Sequence, residues 1–352
     1  VQASLRPKAQ AAAGLLACRK RASSSACAIE GGGVMGENSA ISWCDHTFNI
    51  AWGCTKIEGS QACAHCYAEA WSKRVGLKVW GQDAPRREFG DEHWKAPLKW
   101  NARAAKAGRV EFVFCSSMAD VFEDHPTIAK ARERLWPIIE ATPSLVWLLL
   151  TKRPQNMQAF APASWEAAWP GNVWAGTTAE TQAWADIRIA TLRKVPAPVW
   201  FVSCEPMLGG IALPSDFLAL GARAWVIAGG ESGPHARPSH PAWFRSLRDQ
   251  CAGADVPFHF KQHGEWAPYV DESKFTHGQA ETASKMQTWM SPDGRSGGVW
   301  LYDGDGSWSN WSNDPPMDPD AAGVAILNRW GKKRAGRLLD GVEHNGRTAV
   351  TA

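Results

Sequence analysis

Val146-Trp147-Leu148-Leu149-Leu150-Thr151-Lys152-Arg153-Pro154 is an unbroken apolar run that stops abruptly in polar and cationic residues. An apolar run without alternation describes a strand covered on both faces, as in a parallel sheet flanked by helices. The same unit recurs on either side. Upstream, Val110–Phe114 ends in Cys115-Ser116-Ser117-Met118-Ala119-Asp120, and downstream Asn172–Ala175 ends in Gly176-Thr177-Thr178-Ala179-Glu180. Val199–Val202 runs into Ser203-Cys204-Glu205-Pro206, and Trp225–Ala228 into Gly229-Gly230-Glu231-Ser232-Gly233. Phe258–Phe260 runs into Lys261-Gln262-His263-Gly264-Glu265, and Phe48–Trp52 heads the series. Helical patterns fit between the runs at Ile128–Glu140, Thr181–Leu192 and Ala242–Cys251. Pro126 and Pro241 occupy first-turn positions, and Thr181 stands where a cap belongs. Roughly six or seven βα units follow, so the expected fold class is α/β, a partial or complete parallel (β/α) barrel.

In parallel α/β folds the loops after the strands converge and build the site. The polar residues of this chain collect at those strand ends. Taken singly, Ser, Thr and Asp there are ordinary helix caps and Gly229-Gly230 an ordinary turn. Six such clusters on one edge point to a shared pocket.

Composition bounds the rest. At 352 residues and 45% hydrophobic, the chain can bury a large core, and a net charge of +3 names no partner. Twenty-one tryptophans against three tyrosines make aromatic packing dominant, with a few left as flat walls for a cofactor or base. The expected division is a leader over 1–34, disordered or upstream of a natural start at Met35, then a barrel domain over 35–266. An irregular Trp-, Gly- and Asp-rich extension with a basic tail takes 267–352. No run reaches the length of a membrane span. Nine cysteines without framework spacing, Cys18 and Cys27 among them, argue against a secreted disulfide scaffold and for a reducing cytoplasm. Asp303 and Asp305 resemble a fragment of a calcium loop whose other ligand positions are missing. The basic stretch Asn328–Asp340 reads equally as a phosphate contact or a solvated helix face.

The densest chemistry precedes these strand ends. Gly53-Cys54-Thr55-Lys56-Ile57-Glu58-Gly59-Ser60-Gln61-Ala62-Cys63-Ala64-His65-Cys66-Tyr67 holds three cysteines spaced C-x8-C-x2-C, directly after Phe48–Trp52. Thiolates suit zinc and iron–sulfur clusters alike. A closed zinc site needs a fourth ligand, from His65, Cys44 or His46. Three cysteines on a [4Fe–4S] cluster instead leave one iron open to the amino and carboxylate groups of S-adenosylmethionine. An electron passed through the cluster would then break the sulfonium C–S bond and release a 5′-deoxyadenosyl radical. The protein's tasks would be to bind, orient and exclude water. The loop leads into a helical pattern, Tyr67–Arg74, on the edge where the other polar ends gather. A structural zinc knuckle has no need of that position.

Several motifs also carry a resemblance. Ile41-Ser42-Trp43, Asp45-His46-Thr47-Phe48-Asn49, Trp52-Gly53-Cys54-Thr55-Lys56 and Cys66-Tyr67-Ala68-Glu69, with Cys63, resemble the phage gp thirty-seven/sixty-eight family, a radical-SAM-like group. So do Leu148–Asn156, Ser203-Cys204-Glu205-Pro206, Ala228–Gly233, Phe260-Lys261-Gln262 and Gly336–Gly341. The match spans about Met35 to Gly341. It implies a three-cysteine cluster on a partial or complete barrel of the radical-SAM type, and it implies no substrate. The commonest radical-SAM spacing is C-x3-C-x2-C, which the wider first interval here departs from.

Roles follow from side-chain chemistry. Cys54, Cys63 and Cys66 are the expected metal ligands. Asp120, Glu205 and Glu231 are candidate acceptors for an ammonium or hydroxyls; Lys152, Arg153 and Lys261 are candidate partners of a carboxylate or anionic substrate. Ser116, Ser117, Thr177 and Thr178 offer hydroxyl contacts, and Gly229 and Gly230 close backbone approach. Tyr67 stands where the resemblance to radical-SAM enzymes implies an aromatic near adenine, and reads equally as a helix residue packing on the barrel. Cys204 and Cys115 are candidate hydrogen donors beside Glu205 and Lys152. The leading expectation is a radical S-adenosylmethionine enzyme acting on a nucleobase or nucleic acid, served by an electron donor, with no membrane partner. Its rival is a zinc-stabilised, non-catalytic nucleic-acid-binding phage protein. A hydrolase using Glu205, Glu231 and Lys152 ranks last, for want of a nucleophile signature.

Overall fold

The computed structural model describes residues 36–268, 298–302, 308–310 and 324–350. Seven strands hydrogen-bond in sequence order into one parallel sheet. They are β1 (His46–Thr47), β2 (Glu111–Cys115), β3 (Leu145–Thr151), β4 (Val173–Thr178), β5 (Trp200–Cys204), β6 (Ala224–Gly229) and β7 (Phe258–Gln262). Between β1 and β2 lie α1 (Gln61–Ala64), α2 (Tyr67–Arg74), α3 (Asp91–Trp94) and α4 (Ala96–Lys106). Later crossovers carry α5 (Pro126–Glu140), α6 (Met157–Phe160), α7 (Gln182–Leu192), α8 (Ser215–Leu218) and α9 (Pro241–Ala252). This is the expected α/β class in its partial form, because β1 and β7 end the sheet without pairing with each other.

Strand alternation sorts the buried side chains into two cores. Val113, Leu145, Trp147, Leu149, Val173, Ala175, Val202, Val226 and Phe260 pack outward with helix residues such as Ile128, Leu135, Ile189 and Phe244. Phe112, Phe114, Val146, Leu148, Trp174, Phe201, Trp225 and Ile227 face inward, together with Trp43. The inner rings touch across the sheet's concavity. Trp43 lies 4.6 Å from Phe114 on β2 and 6.3 Å from Trp225 on β6, and Trp174 lies 6.2 Å from Trp225. The sheet is therefore curled around an aromatic plug, and these tryptophans are packing.

Flanking segments cover the open side. Ser42 Oγ shares a 2.8 Å hydrogen bond with His259 of β7, and Asp45 accepts from Phe112 N–H at 2.7 Å. The C-terminal segment pairs with the free edge of β7 through Asn345, with Phe260 N–H donating to His344 and Gly346 N–H to Phe258. Covering an edge this way removes a row of unpaired backbone groups.

The apolar runs locate six strands and three helices to within a few residues. The first strand is displaced. It is His46–Thr47, and Phe48–Trp52 leaves the sheet because the Asn49 side chain takes over, accepting from Met118 N–H at 2.7 Å. Thr181 stands at the N-cap of α7 without a capping hydrogen bond. His125 and His240 cap instead, accepting from Thr127 and Ala242 N–H ahead of helices opened by Pro126 and Pro241. In the extension, β8 (Trp266–Pro268), β9 (Gly298–Tyr302), β10 (Trp308–Asn310) and β11 (Val324–Arg329) form an antiparallel sheet in the order β10-β9-β11-β8, followed by α10 (Lys332–Ala335). The leader, Cys18, Cys27, Asp303 and Asp305 lie outside the described residues. Among the described residues no helix is long and apolar enough to cross a membrane.

Candidate functional site

The cysteine loop lies across the C-terminal ends of the strands, and four arginine–carboxylate pairs fix it there. At its start, Thr55 N–H donates to Glu123 at 2.6 Å, and Glu123 is gripped by Arg86 through Nε and Nη2 at 3.0 and 2.8 Å. Arg86 and Glu123 are buried. Arg153, after β3, reaches the Cys54 sulfur at 3.7 Å, the Thr55 carbonyl at 2.6 Å and Asp120 at 2.9 Å. Midway, Glu180, after β4, accepts from Ser60 Oγ and from Arg188 at 2.7 Å, and is wholly buried. Burial alone would raise the Glu180 pKa, but Arg188 and Ser60 bring it below its ordinary value. At the far end, Glu231, after β6, is clamped by Arg237 Nε at 2.8 Å. Arg237 in turn donates to the Gln61 carbonyl at 3.0 Å, and His65 stands 3.5 Å from Glu231.

Cys54, Cys63 and Cys66 are thus distributed over three anchors. Cys63 lies on α1, and Cys66 is the N-cap of α2. All three are free and partly exposed, whereas Cys44, Cys115, Cys204 and Cys251 are buried. Burial, reinforced by Asp120 and Glu123, pushes the Cys54 thiol up to about 12 against the pull of Arg153. A cavity of about 250 Å³ opens beside Thr55, with Glu123, Arg153 and Gln155 also in its lining.

Among the described residues, no three His, Cys, Asp or Glu side chains gather closely enough to hold a single metal ion. The proposed fourth zinc ligands are engaged elsewhere. His46 bonds Glu111 at 2.7 Å and stacks on Trp100, Cys44 belongs to the inner core, and His65 leans toward Glu231. Cys54, Cys63 and Cys66 make an all-sulfur donor set, a chemistry that zinc and iron–sulfur clusters both accept.

The other expected site residues divide into inward-facing, committed and misplaced. Glu205, on the inward register of Phe201 and Ser203, pairs with Lys261 of β7 at 2.9 Å and accepts from Ser203 at 3.2 Å. Lys152 makes no side-chain hydrogen bond or ion pair among the described residues. Tyr67 is 50% exposed while its hydroxyl donates to the Ser117 carbonyl at 2.8 Å. Ser116 and Ser117 bond Phe48 and Asn49, so both hydroxyls tie β2 to the stretch after β1. Asp120 is saturated by Thr151, Phe122 N–H, Lys152 N–H and Arg153, and Glu231 by Arg237, leaving neither carboxylate free for a ligand.

Three assignments are corrected by position. Cys204 and Cys115 share the outward register and sit in the helix-facing core, so their thiols do not reach the concave face. Thr177 is fully buried, donating to the Thr151 carbonyl, while Thr178 receives Arg188. At Gly229 and Gly230 close packing against the protein itself already requires glycine. A Cβ at Gly230 would lie 1.9 Å from the His263 carbonyl, and one at Gly229 2.8 Å from Glu205. Arg86, Glu123, Arg188 and Arg237 were not anticipated. Only Glu180, quoted at the end of its strand, carried a signal.

With this geometry in view, comparison with known proteins adds a family. The model of a family described as "Protein of unknown function (DUF5131)" matches residues 38–347. The chain belongs to that family. No curated protein matches it. Among solved structures it is similar to a spore photoproduct lyase double mutant with bound AdoMet and dinucleoside spore photoproduct, at 14% identity and a TM-score of 0.39, covering 79% of this chain and 72% of that one. Another spore photoproduct lyase, complexed with the dinucleoside spore photoproduct, matches at 13% identity and 0.38 over the same shares. A likeness this distant bears on neither the site nor the activity.

Proposed function

We propose that this DUF5131 chain is a radical S-adenosylmethionine enzyme of the three-cysteine type that its phage-like motifs resemble. One observation carries the reading: three free, partly exposed cysteines on a loop pinned across the strand ends by arginine–carboxylate pairs whose carboxylates are buried. In this reading Cys54, Cys63 and Cys66 hold a [4Fe–4S] cluster. With S-adenosylmethionine bound, the cluster would supply reductive C–S cleavage and a 5′-deoxyadenosyl radical. The chain's own side chains bind and orient. Glu205 accepts hydrogen bonds from an ammonium, Lys152 offers its ammonium to a carboxylate, and the half-exposed Tyr67 ring gives an aromatic wall. Arg153 donates toward the Cys54 sulfur, a pull that burial, Asp120 and Glu123 together outweigh.

Anaerobic reconstitution with iron and sulfide, followed by dithionite and S-adenosylmethionine, tests this without knowledge of the substrate. The expected product is 5′-deoxyadenosine, lost when Cys54, Cys63 or Cys66 is changed to Ala and kept in Cys44→Ala and Cys251→Ala. Zinc at one ion per chain, with neither iron nor sulfide, would falsify the reading.

A further inference from the structure

We propose that Arg153 is a positioning residue of the cysteine loop, whose guanidinium donates a hydrogen bond to the Cys54 sulfur and so raises the reduction potential of a cluster held there. The inference rests on the cluster reading of the three cysteines, but not on S-adenosylmethionine or on any substrate.

Arg153 Nη1 lies 3.7 Å from Cys54 Sγ and 2.9 Å from Asp120, while Nη2 lies 2.6 Å from the Thr55 carbonyl. The fork is held from behind. Asp120 also accepts from Thr151 Oγ1 at 2.6 Å and Phe122 N–H at 3.0 Å, and Arg153 N–H donates to Thr151 Oγ1 at 2.8 Å. The Arg153 side chain is only 12% exposed, so water competes little for its donors. As a thiol, Cys54 donates to the Thr55 carbonyl at 3.3 Å. Ligation of the sulfur removes that proton but neither of the Arg153 contacts. Among the described residues no side chain donates to the Cys63 or Cys66 sulfur, so Cys54 is the distinct member of the three. A donor at a ligating sulfur draws electron density from it and favours the reduced cluster, and a carboxylate nearby works against it. Asp120 and Glu123 oppose the guanidinium at this sulfur. The two members of the Arg153–Asp120 pair should therefore move the potential in opposite directions, which damage to the loop would not do.

The step at issue adds one electron, given up by dithionite, to the oxidised cluster, and no bond to the protein forms or breaks. The anaerobically reconstituted full chain is poised with redox mediators, and its reduced signal is followed by electron paramagnetic resonance. Arg153→Gln is expected to lower the midpoint by about 59 mV, a tenfold change in the reduction equilibrium. Arg153→Lys, which keeps the charge without the fork, lowers it less. Asp120→Asn raises it, and Arg223→Gln, at the N-terminal end of β6, leaves it unchanged. In wild-type protein isotopically labelled at the arginine guanidinium nitrogens, the reduced signal carries a coupling to the label that Arg153→Lys removes. A midpoint that stays put in Arg153→Gln, or that falls in Asp120→Asn as well, overturns the inference. Where Arg153→Gln retains no iron, the labelled wild type decides, and absence of the coupling overturns the inference too. A chain holding zinc and no iron overturns it together with the proposed function. A potential that follows Arg153 and Asp120 in a cluster indifferent to S-adenosylmethionine keeps this inference and removes the enzyme, while a responsive cluster with an unmoved potential does the reverse.

Discussion

At the scale of single residues, the site depends on charges that never reach a ligand. Glu180 and Arg188 are both almost wholly buried, and Ser60 hangs on the same carboxylate. Removing one partner of such a pair leaves a charge without compensation and typically costs about 3 kcal/mol or more. Glu180→Gln should therefore lower the urea midpoint and reduce iron retained after reconstitution, while leaving the cysteine count unchanged. Retention of wild-type iron content with full stability would show that the second cysteine does not depend on this anchor. Asp120 and Glu231 were readable as strand-end carboxylates, yet sequence could not show that Arg153 and Arg237 had already claimed them. Arg237 follows Glu231 in the same loop, but Arg153 comes from beyond another strand, and pairing across 37 residues, as between Arg86 and Glu123, leaves no periodic trace.

At the scale of elements, the sheet was legible because burial on both faces demands continuous apolar runs, and six of them stood out. The first strand escaped because its two residues, His46 and Thr47, are polar and buried, with His46 satisfied by Glu111. Inward or outward register was also hidden, which is how Cys204 and Thr177 came to be taken for site residues: a strand end names a height, not a face. Gly176 shows how tightly the register is enforced. A Cβ there would fall 2.2 Å from the Phe201 ring. Gly176→Ala should destabilise the protein by about 1–3 kcal/mol, the usual range for overpacking. Adding Phe201→Leu should recover part of that loss in chemical denaturation, and a neutral Gly176→Ala would mean the inner core is looser than described.

At the scale of the whole molecule, the curled sheet is held closed by contacts between chain regions far apart in sequence, and one of them titrates. His259 of β7 bonds Ser42 across the open side. Burial brings its pKa down to about 4, with Arg337, Lys261 and Arg347 adding to the effect. The unfolded chain takes up this proton near pH 6.5 while the folded chain resists until about pH 4. Stability is therefore undiminished above pH 6.5 and falls as pH drops toward 4, by up to about 3 kcal/mol from this group. His93 and His263, also lowered by burial, act in the same direction. His259→Gln should flatten the dependence of the urea midpoint between these pH values without abolishing it, and an unchanged slope would remove His259 from the account. The same closed architecture presents the cysteine loop over the strand ends, and that placement bears the functional claim. Its most direct test is electron paramagnetic resonance of anaerobically reconstituted, dithionite-reduced protein, with and without S-adenosylmethionine. A reduced [4Fe–4S] signal that changes shape on adding S-adenosylmethionine, and disappears when all three loop cysteines are replaced by Ala, is the predicted result. A signal indifferent to S-adenosylmethionine, or one that survives loss of those cysteines, would contradict it.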